Sequence, residues 1–239
     1  MRTLLLTLAA LAIGASSASA VGIDVSFVNC TGDPGFTRQA NLDCAGGAAT
    51  TMLVHFQPAE AISDLVALDT IADFWVQAPG VDINTPTGNF WDFENVRPGG
   101  LTVDWLRPAG ACADYRNVWN AHGSGGDIAA LVRSPNNTRI AALVYRPDPV
   151  AVAQDERLFG LQLILSTAGA VQAGGSFGGC PDVTQVYLDQ GVPQSAAANA
   201  TTTLVNCGPY FCVGPQATLN DTPVPATRRT WGQLKSLYR

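Results

Sequence analysis

The chain has 239 residues and carries 19 Asp and Glu against 13 Lys and Arg, with a sequence pI near 4.7. An acidic surface repels phosphate backbones and anionic headgroups, which excludes nucleic acid as a partner of the body of the protein. The charge is uneven. From Val21 to Thr227 there are eight Arg and no Lys against all nineteen acids, a balance of minus eleven, while the final twelve residues carry plus four.

Arg2 precedes an apolar run from Leu4 to Ile13, and Ala18-Ser19-Ala20 supplies the small residues that signal peptidase requires. Residues 1–20 therefore read as a secretory signal peptide cut after Ala20. No segment approaches the roughly 20 apolar residues of a membrane-spanning helix, so the mature chain is expected to be exported without a transmembrane anchor, to the periplasm, the cell surface or the medium. Residues 21–221 are long enough for one β-domain with a real core, followed at 222–239 by a Pro/Thr linker and a basic tail.

Six cysteines, Cys30, Cys44, Cys112, Cys180, Cys207 and Cys212, are expected to form disulfides in an exported chain. Local spacing favours Cys30 with Cys44 and Cys207 with Cys212, which leaves Cys112 for Cys180. Zinc is disfavoured because there is no Cys-x-x-Cys pair and the histidines are only His55 and His122.

Apolar runs separated by Gly, Pro, Asn and Asp clusters recur along the body. Ile23, Val25 and Phe27 alternate with Asp24 and Ser26 in a first strand. Met52, Val54 and Phe56 form a second, stopped by Pro58, and Leu65 to Ile71 a third. Trp91 to Phe93 and Leu101 to Leu106 flank Arg97-Pro98-Gly99-Gly100 and predict a hairpin. Ala113 to Ala121 reads as a short helix. Ile128 to Val132 and Ile140 to Tyr145 flank Ser134-Pro135-Asn136-Asn137, a second hairpin. Arg157 to Leu165, Val183 to Leu188 and Thr202 to Val205 complete the set, with an exposed loop over Gly191 to Thr203. This pattern predicts an all-β, two-sheet antiparallel sandwich of immunoglobulin-like or jelly-roll type, bonded by disulfides.

The candidate chemistry is thin. Gly174-Gly175-Ser176-Phe177-Gly178 matches a nucleophile elbow, but both histidines precede Ser176 and Pro181 follows where a helix should start, so it reads as a glycine-rich loop. His122, Ser124 and Asp127 are neighbours on one loop rather than groups converging from several elements. His55 alternates with inward residues, which places it on the outer or inter-sheet face. Asp82, Asn84 and Asn89 form the best candidate for structural calcium, without the spacing of a calcium loop. Trp75, Trp91, Trp105 and Trp119 are the residues that could form a sugar-stacking platform, with core or inter-sheet packing the favoured reading for each; Trp91 and Trp105 lie on neighbouring predicted strands and are the candidates to share a face. No catalytic residue, metal or cofactor is assigned.

In the tail, Trp231, Leu234 and Tyr238 fall on one helical face at about 100 degrees per residue, beside a stripe of Arg228, Lys235 and Arg239. So short a helix needs a surface to cover its apolar face: its own domain, an anionic membrane or surface polymer, or a protein of the export or assembly machinery. The closing Thr230-Trp231-Gly232-x-Leu234-Lys235-x-Leu237-Tyr238-Arg239 resembles a C-terminal signature of uncharacterised exported proteins of environmental bacteria. The Gly22-Ile23-Asp24 start leading to Cys30 and Cys44 is similar to the same group. The resemblance implies an exported β-sandwich whose tail is a sorting or attachment tag. The expected function is a non-enzymatic secreted or cell-surface structural or adhesive module. A carbohydrate-binding module is the alternative, and a polysaccharide hydrolase a weaker one.

Overall fold

A computed structural model describes residues 22–45, 47–77, 80–85, 88–170, 177–197 and 217–220. The proposed signal peptide, Ser176, Cys207, Cys212, Thr202 to Val205 and the tail lie outside them.

Among the described residues eleven strands form two sheets: β1 Gly22–Phe27, β2 Gln39–Ala40, β3 Ala49–Gln57, β4 Ile62–Val76, β5 Leu101–Asp104, β6 Arg116–Asn117, β7 Gly125–Ser134, β8 Asn137–Val152, β9 Leu158–Ser166, β10 Thr184–Ser195 and β11 Ala217–Leu219. The first sheet runs β1-β3-β9-β5, with β6 also paired to β9, and the second runs β2-β11-β10-β4-β8-β7. Most pairs are antiparallel; the short β6 and β2 add parallel contacts to β9 and β11. The chain is an all-β, disulfide-bonded, two-sheet sandwich.

The alternation read in the sequence sets the inward faces. Ile23, Val25 and Phe27 pair with Phe56, Val54 and Met52, and all six are buried. Across the sandwich, β4 and β8 turn Leu68, Ala72, Phe74, Ile140, Ala142 and Val144 inward. The two layers meet closely where side chains are missing: a Cβ on Gly160 would lie 2.9 Å from Leu68 Cδ2, and one on Gly191 would lie 2.4 Å from Ile23 Cδ1. Larger residues there would force the sheets apart.

The first sheet is buried on its outer side as well. The chain after β5 folds back over that side, where Tyr115 Oη donates to Thr31 O at 2.8 Å and Trp119 Nε1 donates to Phe159 O at 2.9 Å. The Gln162 amide reaches the Leu106 carbonyl of the same segment. A disulfide between Cys30 and Cys112, with Cα atoms 4.8 Å apart, pins the cover to the end of β1, and Asn29 Oδ1 accepts the Cys112 N–H at 2.7 Å. The second disulfide, Cys44 to Cys180, ties the loop after β2 to the loop before β10.

Several sequence expectations are corrected. Cys30 does not pair with Cys44, nor Cys112 with Cys180; both bonds are long-range, spanning 82 and 136 residues, because the sheets bring distant loops together while local loops diverge. Ala113 to Ala121 is no helix: its backbone donors go sideways, Arg116 N–H to Arg157 O at 2.9 Å, and it pairs with β9 as β6. Trp91 to Phe93 is no strand. Asn89–Trp91 is a 3-10 turn, and the partner of Leu101–Asp104 is β9, so the Arg97–Gly100 turn joins no hairpin. Gly191 lies within β10, which continues to Ser195, rather than in a loop.

Arg97 organises this region. Its guanidinium donates to the carbonyls of Phe90 and Ser166 and stacks 3.9 Å over the Phe90 ring, with Phe93 and Phe177 further out. Burial pushes its pKa down to about 10, and the aromatic faces and carbonyls replace lost water.

Peptide mapping without reduction is expected to recover Cys30 linked to Cys112 and Cys44 linked to Cys180. Replacing Cys30 and Cys112 together by Ala should cost about 2–4 kcal/mol in denaturant melts. A change below about 0.5 kcal/mol would show that the cover holds without its crosslink.

Candidate functional site

With the first sheet covered on both sides, the open sheet face among the described residues is the outer side of the second sheet. Its long strands carry strict alternation: in β7 Asp127, Ala129, Leu131 and Arg133 are exposed while their neighbours are partly covered. Register stacks these residues into rows. Asp127 lies beside Leu143 and Leu143 beside Asp69; Ala129 beside Ala141 and Ala141 beside Ile71; Leu131 beside Arg139 and Arg139 beside Asp73. Two adjacent alanines in the middle row leave a dip, a depression of about 380 Å³ lined by Ile71, Ala129, Ala141 and Leu143 with Asp69 and Asp127 at its rim. Leu131 is 52 % exposed beside it.

The rim charges differ in their surroundings. Asp69 Oδ2 accepts the Gln194 amide at 2.8 Å, and Asp127 Oδ1 accepts the Ile128 N–H at 2.8 Å. One row away, Arg139 bridges Asp73 at 2.5 Å and Asp189 at 2.6 Å. Burial opposes ionisation of Asp73, yet hydrogen bonds from Arg139 hold its carboxyl below the usual range. Burial and then the adjacent Asp73 push Asp189 up to about 6. Two carboxylates sharing one guanidinium leave little free positive charge, so the depression presents apolar surface flanked by acid.

The tryptophans singled out from sequence are elsewhere. Trp91 is fully buried, its indole N–H donating to Gly179 O at 2.7 Å, and it packs against Phe74, Phe90 and Phe93. Trp105 is partly buried against Gly126 of β7, so the two share no face and form no platform. Trp119 is core, whereas Trp75 is 37 % exposed at one end of the open face. Ser124 Oγ is buried without a hydrogen-bond partner, so His122 does not activate it, and Asp127 points to the depression instead. Asp82 Oδ1 accepts both the backbone N–H and the side-chain amide of Asn84, which closes a turn.

His55 sits on the outer side of the first sheet, beneath Tyr115, whose ring meets it edge-on at 5.0 Å. The Thr31 N–H donates to His55 Nε2 at 3.1 Å and Thr31 Oγ1 donates to Asp24 Oδ2 at 2.8 Å. Hydroxyl, imidazole and carboxylate thus converge, as in a nucleophilic triad. Their electrostatics oppose that use. Burial lowers the His55 pKa to about 4 despite Asp24, so the ring is neutral and a weak base, and Nε2 is already occupied by an amide. Burial likewise raises Tyr115 to about 12, keeping its phenol a donor to Thr31. The cluster locks the cover in place.

No protein-family model matches the sequence, and no curated protein does. Among solved structures, the chain is similar to a cohesin module from a family 33 glycoside hydrolase of Clostridium perfringens ATCC13124, at 6 % identity and a TM-score of 0.30, over 78 % of this chain and 97 % of that one. A likeness this distant carries no inference about function.

The open face escaped sequence reading because Ala129 and Ala141 are twelve positions apart and meet only through β7–β8 register. The signal was present in the two hairpin arms, each alternating small or apolar residues with inward ones.

Because the folded-state pKa of His55 lies below its ordinary value of 6.5, the unfolded chain binds this proton more tightly. The contribution to stability is complete above about pH 6.5 and is lost as pH falls toward about 4. Urea midpoints measured across that window should decline, with a shallower decline in His55→Gln. An identical slope in the variant would contradict the neutral, buried ring.

Proposed function

We propose that this protein is a non-enzymatic recognition module acting outside the cytoplasm, which binds a protein partner through the outer face of its second sheet. The observation that carries the reading is the alanine-floored depression between Asp69 and Asp127 on the open face. Small side chains there admit a partner's apolar groups, whose burial is worth about 25 cal/mol per Å². The flanking carboxylates favour partners with Lys or Arg beside those groups. Two disulfides support an oxidising compartment. Carbohydrate binding stands second, because the exposed aromatics Trp75 and Tyr145 lie at opposite ends of the face, beside Asn137 and Ala67, about 26 Å apart by strand rise.

The tail is proposed, on its sequence and resemblance, as the element that attaches the module to a cell-surface polymer or to assembly machinery. Deleting Arg228 to Arg239 should leave the melting temperature within about 2 °C and move the protein from the cell fraction to the medium. Unchanged retention would remove the attachment role.

Ala141→Arg fills the depression with a long cation on a surface strand, where substitutions usually change stability by less than about 0.5 kcal/mol. With Arg228 to Arg239 deleted in both proteins, so that the tail contributes nothing, binding of the purified, labelled variant to cells of the producing organism over a concentration series should be at least tenfold weaker than that of the tail-deleted parent, with little change in melting temperature. Equal binding would overturn the assignment of the face, and a polysaccharide panel that retarded the protein would favour the carbohydrate reading.

A further inference from the structure

We infer that the depression on the second sheet is a receptor for the chain's own C-terminal segment, residues 228–239, docked in cis. The inference rests on the reading of that face as a binding surface and names an occupant for it.

Complementarity is the first argument. The depression is apolar at its floor, through Ile71, Ala129, Ala141 and Leu143, and acidic at its rim through Asp69 and Asp127. The tail's sequence offers the converse: at helical spacing Trp231, Leu234 and Tyr238 would fall on one face with Arg228, Lys235 and Arg239 beside them. Arg139, the base nearest the floor, is held by Asp73 and Asp189, and Arg133 lies toward the far end of β7.

Reach is the second argument. Residue Leu219 of β11 pairs with Thr184, which pairs with Val76 at the end of β4. From there the depression is three strand spacings across and about six residues along the sheet, about 25 Å in all at about 4.8 Å per strand and about 3.3 Å per residue. Eight steps of Thr- and Pro-rich chain separate Asn220 from Arg228 and span about 25 Å when extended at about 3.1 Å per residue. A tether of this length lets the extended chain deliver the tail to its own face, so docking in cis needs no encounter with a second copy. Docking in cis would cover the face until an attachment partner takes the tail, so attachment and exposure of the face would be coupled.

Lys235 is the only lysine in the chain, which makes a clean test possible. Zero-length carbodiimide coupling of the full protein at micromolar concentration and low salt should join Lys235 to Asp69 or Asp127 in a species of monomer mass. The coupled fraction should drop at least tenfold in Leu234→Glu, which leaves the sandwich untouched, and near 1 M salt, where the screening length is about 3 Å. Coupling to carboxylates elsewhere, no coupling, or coupling found in dimers alone would overturn the assignment. If coupling fails while Ala141→Arg in the tail-deleted protein still loses cell binding, the face stands as a partner site and only its occupant is wrong. If the tail-deleted Ala141→Arg protein binds cells like the tail-deleted parent, the face itself is misassigned.

Discussion

The structure depends on burying the first sheet from both sides. Its strands β1, β3 and β9 place apolar side chains inward against the second sheet and also bury Ser26, His55 and Gln162 on the outer side. Buried polar groups must be satisfied: Leu106 of the returning segment accepts from Gln162, while Ser26 and His55 find Asn29 and Thr31 in the loop after β1, which Cys112 and Tyr115 of that segment hold in place. The Cys30–Cys112 bond closes an 82-residue separation and so removes much of the entropy the cover would gain by lifting away. Everything on the opposite side follows from this asymmetry: one sheet is capped, and the other keeps an open face.

Charges inside the fold are handled in three ways that share one logic. Arg97 keeps its charge because carbonyls and three phenylalanine rings replace water around it. His55 gives its charge up, since desolvation outweighs the attraction of Asp24. Asp73 and Asp189 divide one guanidinium, so one carboxyl is held low and its neighbour is pushed up. In each case burial sets the cost, and the local donors decide which protonation state meets it.

The open face owes its depression to small residues. A depression needs small residues, and alanine in a strand gives up packing that a valine or threonine would provide. Here Ala129 and Ala141 stand side by side on the solvent face, where that loss is least, between a leucine flanked by two acids and a leucine beside a clamped arginine. Flat sheet edges invite unwanted pairing, and β7 is an edge strand, but Glu94 Oε2 accepts the Val132 N–H at 2.8 Å and blunts it.

Strand periodicity, turn residues and cysteine count are local or compositional properties, and they sufficed for the sandwich class, for β1, β3, β8 and β9, for the β7–β8 hairpin and for an exported, disulfide-bonded chain as an expectation. The acidic body and basic tail were equally plain. Pairing was not. Cys30 finds Cys112, Leu101 finds Leu165, and Ala129 finds Ala141 because of how sheets stack and register, and spacing along the chain contains no term for that. Burial was equally hidden: Trp91 and Trp105 look alike as exposed-strand aromatics, yet Trp91 belongs to a closed aromatic cluster and Trp105 to an edge. The sequence by itself determined which segments are strands and what charge they carry; the tertiary structure decided which face stays open, because that depends on where a non-local segment lays itself down.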